Sequence, residues 1–302
     1  MIARYNRLSR QPAVFRALTG LSRRQFDALF QDVTPRLAAA EQARLSRPGR
    51  QRAIGGGHPF ALPPRDQVLL TVVWLRRYPI YEVLGFLFGI SQETAVRTVA
   101  RVLPVLEAAG LDTMRLPDPG KGHRPHLDAL LADTPELAVI VDTFEQRVQR
   151  PRNRAEADTY YSGKKKQHTL KSQVAIDERD GRIGDVPPSV RGPTADLTLL
   201  KQSGLLERLP EGVGPLGDLA YVGIAALHPQ GATPRRKPRG QPRPPDDIAY
   251  NTAFARRRVK VEHIIGRLRA YQALSQTDRH HRHHHTARVR AVAGLVNRQL
   301  AA

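Results

Sequence analysis

Three acidic residues, widely separated along the chain, each stand in a setting typical of a rigid element. Asp142 follows the apolar run Leu137–Val141, Asp218 lies in Gly217-Asp-Leu-Ala-Tyr-Val-Gly223, and Glu262 lies within a predicted helix. Carboxylate oxygens are the ligands that Mg²⁺ prefers. Two divalent ions held by such acids can activate an attacking hydroxyl and stabilise the leaving oxygen of a phosphodiester. The three acids therefore predict one metal-binding cluster for phosphodiester chemistry.

Each acid also has an ordinary structural explanation. An aspartate that follows a strand commonly caps a turn, which applies to Asp142 and to Asp218 taken singly. Glu262 lies among arginines, and taken alone it is explained as one half of a surface ion pair. On the predicted helix, Arg258, Glu262 and Arg269 fall on one stripe. Single residues leave both interpretations open.

The charge of the chain indicates a polyanionic partner. Among 302 residues, 48 Lys and Arg stand against 28 Asp and Glu, a formal net charge of +20. Nucleic acid is the commonest partner of so basic a protein, and arginine overuse in a high-GC genome is the alternative. The absence of Cys excludes a disulfide, a thiolate metal site and a Cys nucleophile. The apolar run Val68–Leu75 is too short to cross a bilayer, so we expect a cytoplasmic, nucleoid-associated protein with no membrane contact.

The first 115 residues are predicted to be almost entirely helical. Residues 13–45 carry apolar side chains at helical spacing, with Ser22 as a helix N-cap. Val68–Leu75 predicts a buried helix that ends before Pro79. This pattern predicts an all-α region over residues 1–115.

Within that region, residues 81–103 predict two helices joined by a tight turn. Gly89 supplies the turn, Ser91 caps the second helix, and Pro104 follows its predicted end. The pattern indicates either a DNA-binding helix-turn-helix or an ordinary helical hairpin. In the first case, the residues expected to face the major groove are Gln92, Glu93, Thr94 and Arg97.

The pattern changes after residue 135. A basic connector at residues 46–64 and a Pro- and Gly-containing linker at 116–135 precede the change. The elements predicted beyond it are a central strand at 137–141, strands at 168–176 and 182–186 around the hairpin turn Asp177–Gly181, helices at 194–209, 251–274 and 287–300, and an exposed loop at 230–247. Residues 136–302 are therefore predicted to form a mixed α/β domain.

Four stretches carry a resemblance to a known family. They are Asp142-Thr-Phe-Glu-Gln-Arg-Val-Gln-Arg-Pro151, Tyr161-Ser-Gly-Lys-Lys-Lys-Gln-His-Thr-Leu-Lys171, Asp218-Leu-Ala-Tyr-Val-Gly223 and Arg258-Val-Lys-Val-Glu262. In order and spacing they resemble the DDE transposases of the insertion-sequence-five type. Two further stretches resemble that family's helix-turn-helix region, namely Leu18-Thr-Gly-Leu21 and Phe88-Gly-Ile-Ser91. The resemblance covers nearly the whole chain.

The resemblance implies a catalytic core of RNase H-like type, a mixed sheet flanked by helices, behind the helix-turn-helix region. It implies that Asp142, Asp218 and Glu262 bind two Mg²⁺ ions, for which Mn²⁺ can substitute. Such a transposase binds terminal inverted repeats, cleaves the element ends and joins the 3′-hydroxyls to target DNA, as a homodimer or larger assembly. Arg258 and Arg269 match signature cations around the catalytic Glu and are expected at DNA phosphates. The departures from the family pattern are Ala255 for tyrosine, Arg269 for lysine and Ala220 for glycine.

A basic tract runs from Arg147 to Lys171, with eight Lys and Arg against two acids. It is explained either as a solvated charged loop or as a contact with the DNA backbone, and its closeness to Asp142 in the sequence favours DNA. The predicted contacts are Arg147, Arg150, Lys164, Lys165, Lys166 and Lys171. A second basic run at residues 235–243 is explained equally well as a solubilising segment. Histidines 280–285 are not expected to bind zinc, because neighbouring histidines on a helix point in different directions.

Two other functions fit the same residues. A decayed or domesticated transposase would bind DNA without catalysis, and the departures at Ala255 and Arg269 favour it mildly. A plain metal-dependent nuclease would cleave DNA without joining strands. The presence of an acid at all three positions argues against decay.

Overall fold

The computed structural model describes residues 3–46, 49, 51, 59–121 and 127–301. The chain divides into two compact units, the first comprising Met1–Asp112, Arg269–Gln276 and Arg290–Ala302, and the second Thr113–Leu268 and Thr277–Val289. Most of the predicted connector at 46–64, and residues 122–126 of the predicted linker, lie outside the described residues. Within the described ranges, none of the helices combines the length and the apolar character needed to cross a membrane.

The first unit is helical, as predicted. Its helices are α1 (Tyr5–Leu8), α2 (Pro12–Thr19), α3 (Arg23–Leu45), α4 (Pro64–Arg77), α5 (Tyr81–Phe88), α6 (Gln92–Leu111) and the part of α11 (His285–Leu300) that begins at Arg290. Ser22 caps α3 as predicted, because its side chain accepts from the Gln25 N–H while the Gln25 side chain accepts from the Ser22 N–H. Trp74 and most other side chains of α4 are buried, so α4 is the central helix of this unit.

The turn between α5 and α6 has the predicted chemistry. Gly89 adopts a left-handed backbone with φ 63°, and the Ser91 side chain accepts a hydrogen bond from the Thr94 N–H. The predicted end of the second helix at Leu103 is wrong, because α6 continues through Pro104 to Leu111. Proline removes one backbone donor, but the apolar residues on both sides of Pro104 are buried, and their packing holds the helix together.

The second unit contains a mixed sheet with helices. Its elements are β1 (Leu137–Arg147), α7 (Arg154–Tyr160), β2 (Tyr161–Ser162), β3 (Gln167–Asp177), β4 (Ile183–Asp185), β5 (Val190–Arg191), α8 (Asp196–Gln202), α9 (Leu205–Arg208), β6 (Val213–Leu216) and α10 (Pro245–Arg269). The strand order is β2-β3-β1-β6, and β4 and β5 also pair with β3. β1 runs antiparallel to β3 and parallel to β6. The predicted hairpin is confirmed, since β3 and β4 pair antiparallel around Asp177–Gly181.

Three predicted boundaries in this unit are wrong. β1 does not end at Asp142 but continues to Arg147, because pairing with β3 extends over its polar half as well. The helix predicted at 194–209 is two helices, since Gly204 adopts a left-handed backbone with φ 64° between them. The helix predicted at 251–274 begins at Pro245, where proline and two following aspartates favour a helix start, and ends at Arg269.

Apolar side chains cover both faces of β1. Val139 and Val141 pack with Leu200 and Leu205 of α8 and α9 on one face. On the opposite face, Ala138 of β1 and Leu216 of β6 belong to one cluster with three residues of α10, namely Tyr250, Ala253 and Phe254. α10 therefore packs directly on β1, which contains Asp142, and on β6, which ends two residues before Asp218.

Within the first unit, α6 and α11 approach at two glycines. A Cβ added to Gly294 would lie 2.3 Å from the Gly110 Cα, and one added to Gly110 would lie 2.6 Å from the Arg290 carbonyl oxygen. Real Cβ atoms do not approach backbone atoms so closely, so a side chain at either glycine forces the helices apart. The close packing depends on both glycines.

We expect Gly294→Ala to lower the free energy of unfolding by about 1–3 kcal/mol, the usual effect of overpacking a core. Gly266→Ala is the matched control, because a Cβ on Gly266 of α10 meets nothing within 4 Å. The control should stabilise the chain by about 0.5–1 kcal/mol, as alanine is the better helix former. Urea unfolding of both variants checks this, and an unchanged midpoint for Gly294→Ala would contradict the packing described.

Candidate active site

Parallel pairing brings the first two acids level with each other. Ile140 of β1 pairs with Leu216 of β6. Asp142 lies two residues after Ile140, and Asp218 lies two residues after Leu216. The chain leaves the sheet after Leu216, whereas β1 continues. Two carboxylates that are distant in sequence therefore stand side by side at the end of β6.

Asp142 is held by the backbone and faced by a cation. Its Oδ1 accepts a hydrogen bond of 2.7 Å from the Thr143 N–H. Its Oδ2 lies 3.6 Å from Arg258 Nη2, and the two side chains retain only 13% and 14% of their exposure. Arg258 is thus placed at the acid rather than out in solvent, and its Nε is buried without a hydrogen-bond partner among the described residues.

Asp218 caps a short turn. Its Oδ1 accepts a hydrogen bond of 2.9 Å from the Ala220 N–H, and its carbonyl accepts one of 3.0 Å from the Tyr221 N–H. The side chain is half-buried. The structural explanation offered by the sequence, a capping aspartate, is therefore correct for Asp218, and no described residue donates a hydrogen bond to its other oxygen.

Glu262 comes from α10 and is exposed to solvent. It lies one helical turn beyond Arg258, the residue that faces Asp142. Because Phe254 packs on the strands at one end of this segment, the helix carries Arg258 and Glu262 toward the acids. The structure thus brings all three predicted acids to one region of the second unit.

The three carboxylates influence one another electrostatically. Burial, together with the negative charges of Asp218 and Glu262, raises the pKa of the Asp142 carboxyl to about 6. The Thr143 hydrogen bond and the charge of Arg258 oppose that rise. Burial is the largest of these effects, and it disfavours the ionised form of the carboxyl.

The donor set fits a hard divalent cation, since all three groups offer carboxylate oxygens and a cation would relieve their repulsion. Among the residues that the structure describes, no group of three or more His, Cys, Asp or Glu side chains is arranged so that it could hold a metal ion.

A second set of contacts anchors α10 to the β3–β4 hairpin, and the sequence did not reveal it. Arg257 donates to both oxygens of the buried Glu178, at 2.5 and 2.6 Å. Lys260 donates to the carbonyls of Glu178 and Arg179. Two acids of this hairpin, Asp177 and Glu178, are both buried. The only sequence signal was three consecutive arginines at 256–258, of which two turn toward the sheet.

The predicted DNA-contact residues lie in different surroundings. Those exposed on the surface are Arg147, Arg150, Lys164, Lys165, Lys166, Arg269, Gln92 and Arg97. The three lysines occupy the tip of the β2–β3 hairpin, where Lys166 adopts a left-handed backbone with φ 54°. Thr94 is half-buried and its N–H takes part in the Ser91 cap.

Lys171 differs from the other predicted DNA contacts. It is buried, and its Nζ donates to the Thr194 carbonyl at 2.5 Å and to Asp196 Oδ1 at 2.6 Å. Asp196 is the first residue of α8, where an acid also suits the positive end of the helix dipole. With its charge already paired, Lys171 fastens α8 to β3 and is not exposed for a phosphate.

Comparison with known proteins gives two family matches. Residues 141–297 match the family described as DDE superfamily endonuclease. Residues 60–111 match the helix-turn-helix of DDE superfamily endonuclease, which decides between the two explanations of α5 and α6 in favour of a helix-turn-helix. A curated relative, the probable transposase for insertion sequence element IS702 of Microchaete diplosiphon, is 28% identical over 287 residues, or 95% of this chain and 94% of that protein.

The raised pKa of Asp142 leads to a prediction about stability. Because its pKa in the folded chain, about 6, exceeds the ordinary value of 3.8, the folded state binds this proton more tightly than the unfolded state. The resulting stabilisation is fully present below pH 3.8 and is lost as the pH rises through 6. Asp142→Asn, which stays neutral and keeps an oxygen for the Thr143 N–H, should therefore raise the free energy of unfolding near neutral pH by about 2–3 kcal/mol.

Urea unfolding in EDTA at several pH values measures this difference. It should shrink toward zero as the pH falls below 3.8, where wild-type Asp142 is also neutral. Glu211→Gln, a change at an exposed acid outside the cluster, should show no such trend. A destabilised Asp142→Asn variant at neutral pH would contradict the repulsion described.

Proposed function

Because the chain belongs to the DDE superfamily endonucleases, we propose that it is a transposase that cleaves the ends of a DNA element and joins the freed 3′-hydroxyls to target DNA. The observation that supports this proposal is the convergence of Asp142, Asp218 and Glu262, where burial and then the charges of the other two acids raise the pKa of Asp142. The curated relative's name, a probable transposase for an insertion sequence element, favours transposition over plain nuclease activity. Assignment to the insertion-sequence-five type and to an RNase H-like core stays a prediction.

We assign the three acids to divalent cation binding, with Mg²⁺ as the natural ion and Mn²⁺ as a substitute. Two bound ions activate an attacking oxygen and stabilise the leaving oxygen of a phosphodiester. Asp142 and Asp218, which accept backbone hydrogen bonds, would hold the cations from the side of the sheet, and Glu262 would contribute a carboxylate from α10. Arg258, whose Nη2 lies 3.6 Å from Asp142 Oδ2, would offset part of the charge of that acid in the absence of a cation.

DNA is proposed to follow the exposed cations of the basic tract. Val174, the β-ladder partner of Asp142, lies eight residues beyond Lys166 on β3. At about 3.4 Å per residue, the lysine-bearing hairpin tip is therefore roughly 27 Å along the strand from the acids. Lys164, Lys165 and Lys166 suit backbone phosphates some distance from the cleaved bond, and Arg258 and Arg269 suit phosphates along α10.

End recognition is proposed for the helix-turn-helix. Gln92, Thr94 and Arg97 occupy the first two turns of α6, the part of a recognition helix that contacts bases. We place this role in residues 1–115 and the chemistry in residues 136–302. Joining two ends of one element requires two active sites, so we propose a homodimer or larger assembly on DNA.

A cleavage and strand-transfer assay with the DNA flanking this gene tests the proposal. We expect nicking at the flanking ends and joining to a plasmid in Mg²⁺ or Mn²⁺, and neither in EDTA. Asp218→Asn and Glu262→Gln preserve side-chain size and should lower both reactions about 100-fold or more, the loss typical when a preorganised charge-stabilising group is removed. Glu211→Gln is the matched control and should retain activity.

The same samples separate the alternatives by a gel-shift measurement of end binding. Binding by the wild type without any cleavage would indicate a decayed, non-enzymatic DNA-binding protein. Cleavage without joining would indicate a plain nuclease. Cleavage that survives both acid substitutions would show that other residues carry the chemistry.

A further inference from the structure

The histidine-rich segment at residues 280–285 is held against the basic tract by backbone contacts just before it. Val148 and Asp278 form an isolated parallel β-bridge, and the Asp278 N–H donates to the Arg147 carbonyl at 2.8 Å. The buried carboxylate of Asp278 accepts a hydrogen bond of 3.0 Å from the His280 N–H. Two stretches that are far apart in the sequence therefore lie side by side at the end of β1.

The histidine-rich segment also reaches the face of β1 that carries Asp142. His285 is buried, and its ring nitrogens lie 2.8 Å from Gln146 Oε1 and 2.9 Å from Ser189 Oγ. Gln146 and Asp142 are four residues apart on one strand, so their side chains point to the same face. On that face α10 packs and Arg258 lies opposite Asp142. At about 3.4 Å per residue, the His285 contact is roughly 14 Å along β1 from the acid.

A tyrosine at the end of α7 ties the same segment to two further elements. The Tyr160 ring centroid lies 4.6 Å from the guanidinium carbon of Arg282 and 5.4 Å from that of Arg191 in β5. Arg282 Nη2 also lies 3.0 Å from Glu156 Oε1 of α7. Arg282 is therefore used within the protein, where it holds the histidine-rich segment against α7.

The side chains that these contacts leave exposed are mostly basic. His280 is half-buried and His285 is buried, whereas the three histidines between them are exposed. The stretch Arg147–Arg154 carries four exposed arginines. α7 contributes one exposed acid, Asp158, since Glu156 is already paired. Together these side chains form one histidine–arginine surface. Its exposed members beyond the predicted DNA contacts include Arg152, Arg154, Arg191, Arg279, His281 and His283.

We propose that this histidine–arginine surface binds the phosphate backbone of duplex DNA beside the three acids. Its positive charge complements a polyanion, and guanidinium and imidazole N–H groups donate to phosphate oxygens. The inference rests on the proposed function, because the acids are taken to cut the DNA that the surface holds. The anchors of the surface on β1, Gln146 and Val148, lie four and six residues beyond Asp142. A duplex that follows β1 rises about 3.4 Å per base pair, so it meets the surface roughly four to six base pairs from the cleaved bond.

The salt dependence of DNA binding tests this surface. The full chain, in EDTA to prevent cleavage, is titrated with a fluorescent duplex of the DNA flanking this gene. Arg152→Gln and Arg279→Gln each remove one exposed cation, and they come from the two stretches that form the surface. We expect each substitution to reduce the slope of log Kd against log salt concentration by about 0.9, the value for one lost phosphate contact.

Lys201→Gln is the matched control. It also removes one exposed cation from the second unit, but Lys201 belongs to α8, which packs on the opposite face of β1. Its salt slope should equal that of the wild type. A general effect of lowering the net charge would instead reduce the slope equally in all three variants, and that result would overturn the proposal.

A cross-link locates the surface on the DNA without relying on a loss of binding. The chain contains no Cys, so His283→Cys provides a single thiol for a photoactivated cross-linker. We expect cross-links to the element end roughly four to six base pairs from the cleaved bond. Lys201→Cys, labelled in the same way, should give no cross-link.

The outcomes separate this inference from the function on which it rests. Unchanged slopes in both arginine variants and no cross-link from position 283, while the wild type still cleaves the element ends, would overturn the surface alone. Cross-links scattered along the duplex, or tighter binding of an RNA duplex of the same sequence, would overturn DNA beside the acids as its ligand. Reduced slopes and cross-links at the expected position, without cleavage in Mg²⁺, would support the surface and overturn the catalytic proposal.

Discussion

The parallel pairing of β1 with β6 is the constraint on which the candidate site depends. It sets Asp142 and Asp218 at the same level, and their charges then repel in a place where burial already disfavours ionisation. Such an arrangement destabilises the folded chain at neutral pH. It is tolerated where function requires it, as at other sites that hold several charges of one sign ready for a ligand.

The remaining structure of the second unit holds the repelling acids in fixed positions. α10 is seated on the same two strands through its apolar residues, and Arg257 locks it to the β3–β4 hairpin through the buried carboxylate of Glu178. The next residue, Arg258, forms an ion pair with Asp142. A long helix anchored at two points can deliver Glu262 from a distant part of the sequence without a dedicated loop.

The sequence predicted which helices and strands form better than it predicted where they begin and end. The apolar run before Asp142 indicated a central strand, because burial on both faces leaves a continuous apolar pattern. The hairpin and the Ser22 and Ser91 caps were predictable because each depends on a few neighbouring residues. Whether α6 would end at Pro104 could not be predicted, since packing around the proline decides it.

For the candidate site as well, the sequence indicated the residues but not the contacts that bring them together. Family resemblance picked out the three acids, but no local pattern encodes the pairing that sets Asp142 beside Asp218. The partner of Arg257 and the burial of Lys171 against Asp196 also arise from residues far apart in the chain. Side chains that fold inward look identical in sequence to solvated ones, and for that reason Lys171 was predicted to contact DNA.

Iron-directed cleavage of the protein tests most directly whether the three acids form one cation-binding site. Fe²⁺ substitutes for Mg²⁺, and with ascorbate and peroxide it cuts the backbone close to where it is bound. We expect fragments that end near residues 142, 218 and 262, all suppressed by excess Mg²⁺ and all lost in Asp218→Asn. Cutting confined to the histidine-rich segment at residues 280–285, or cutting at one acid without the other two, would contradict it.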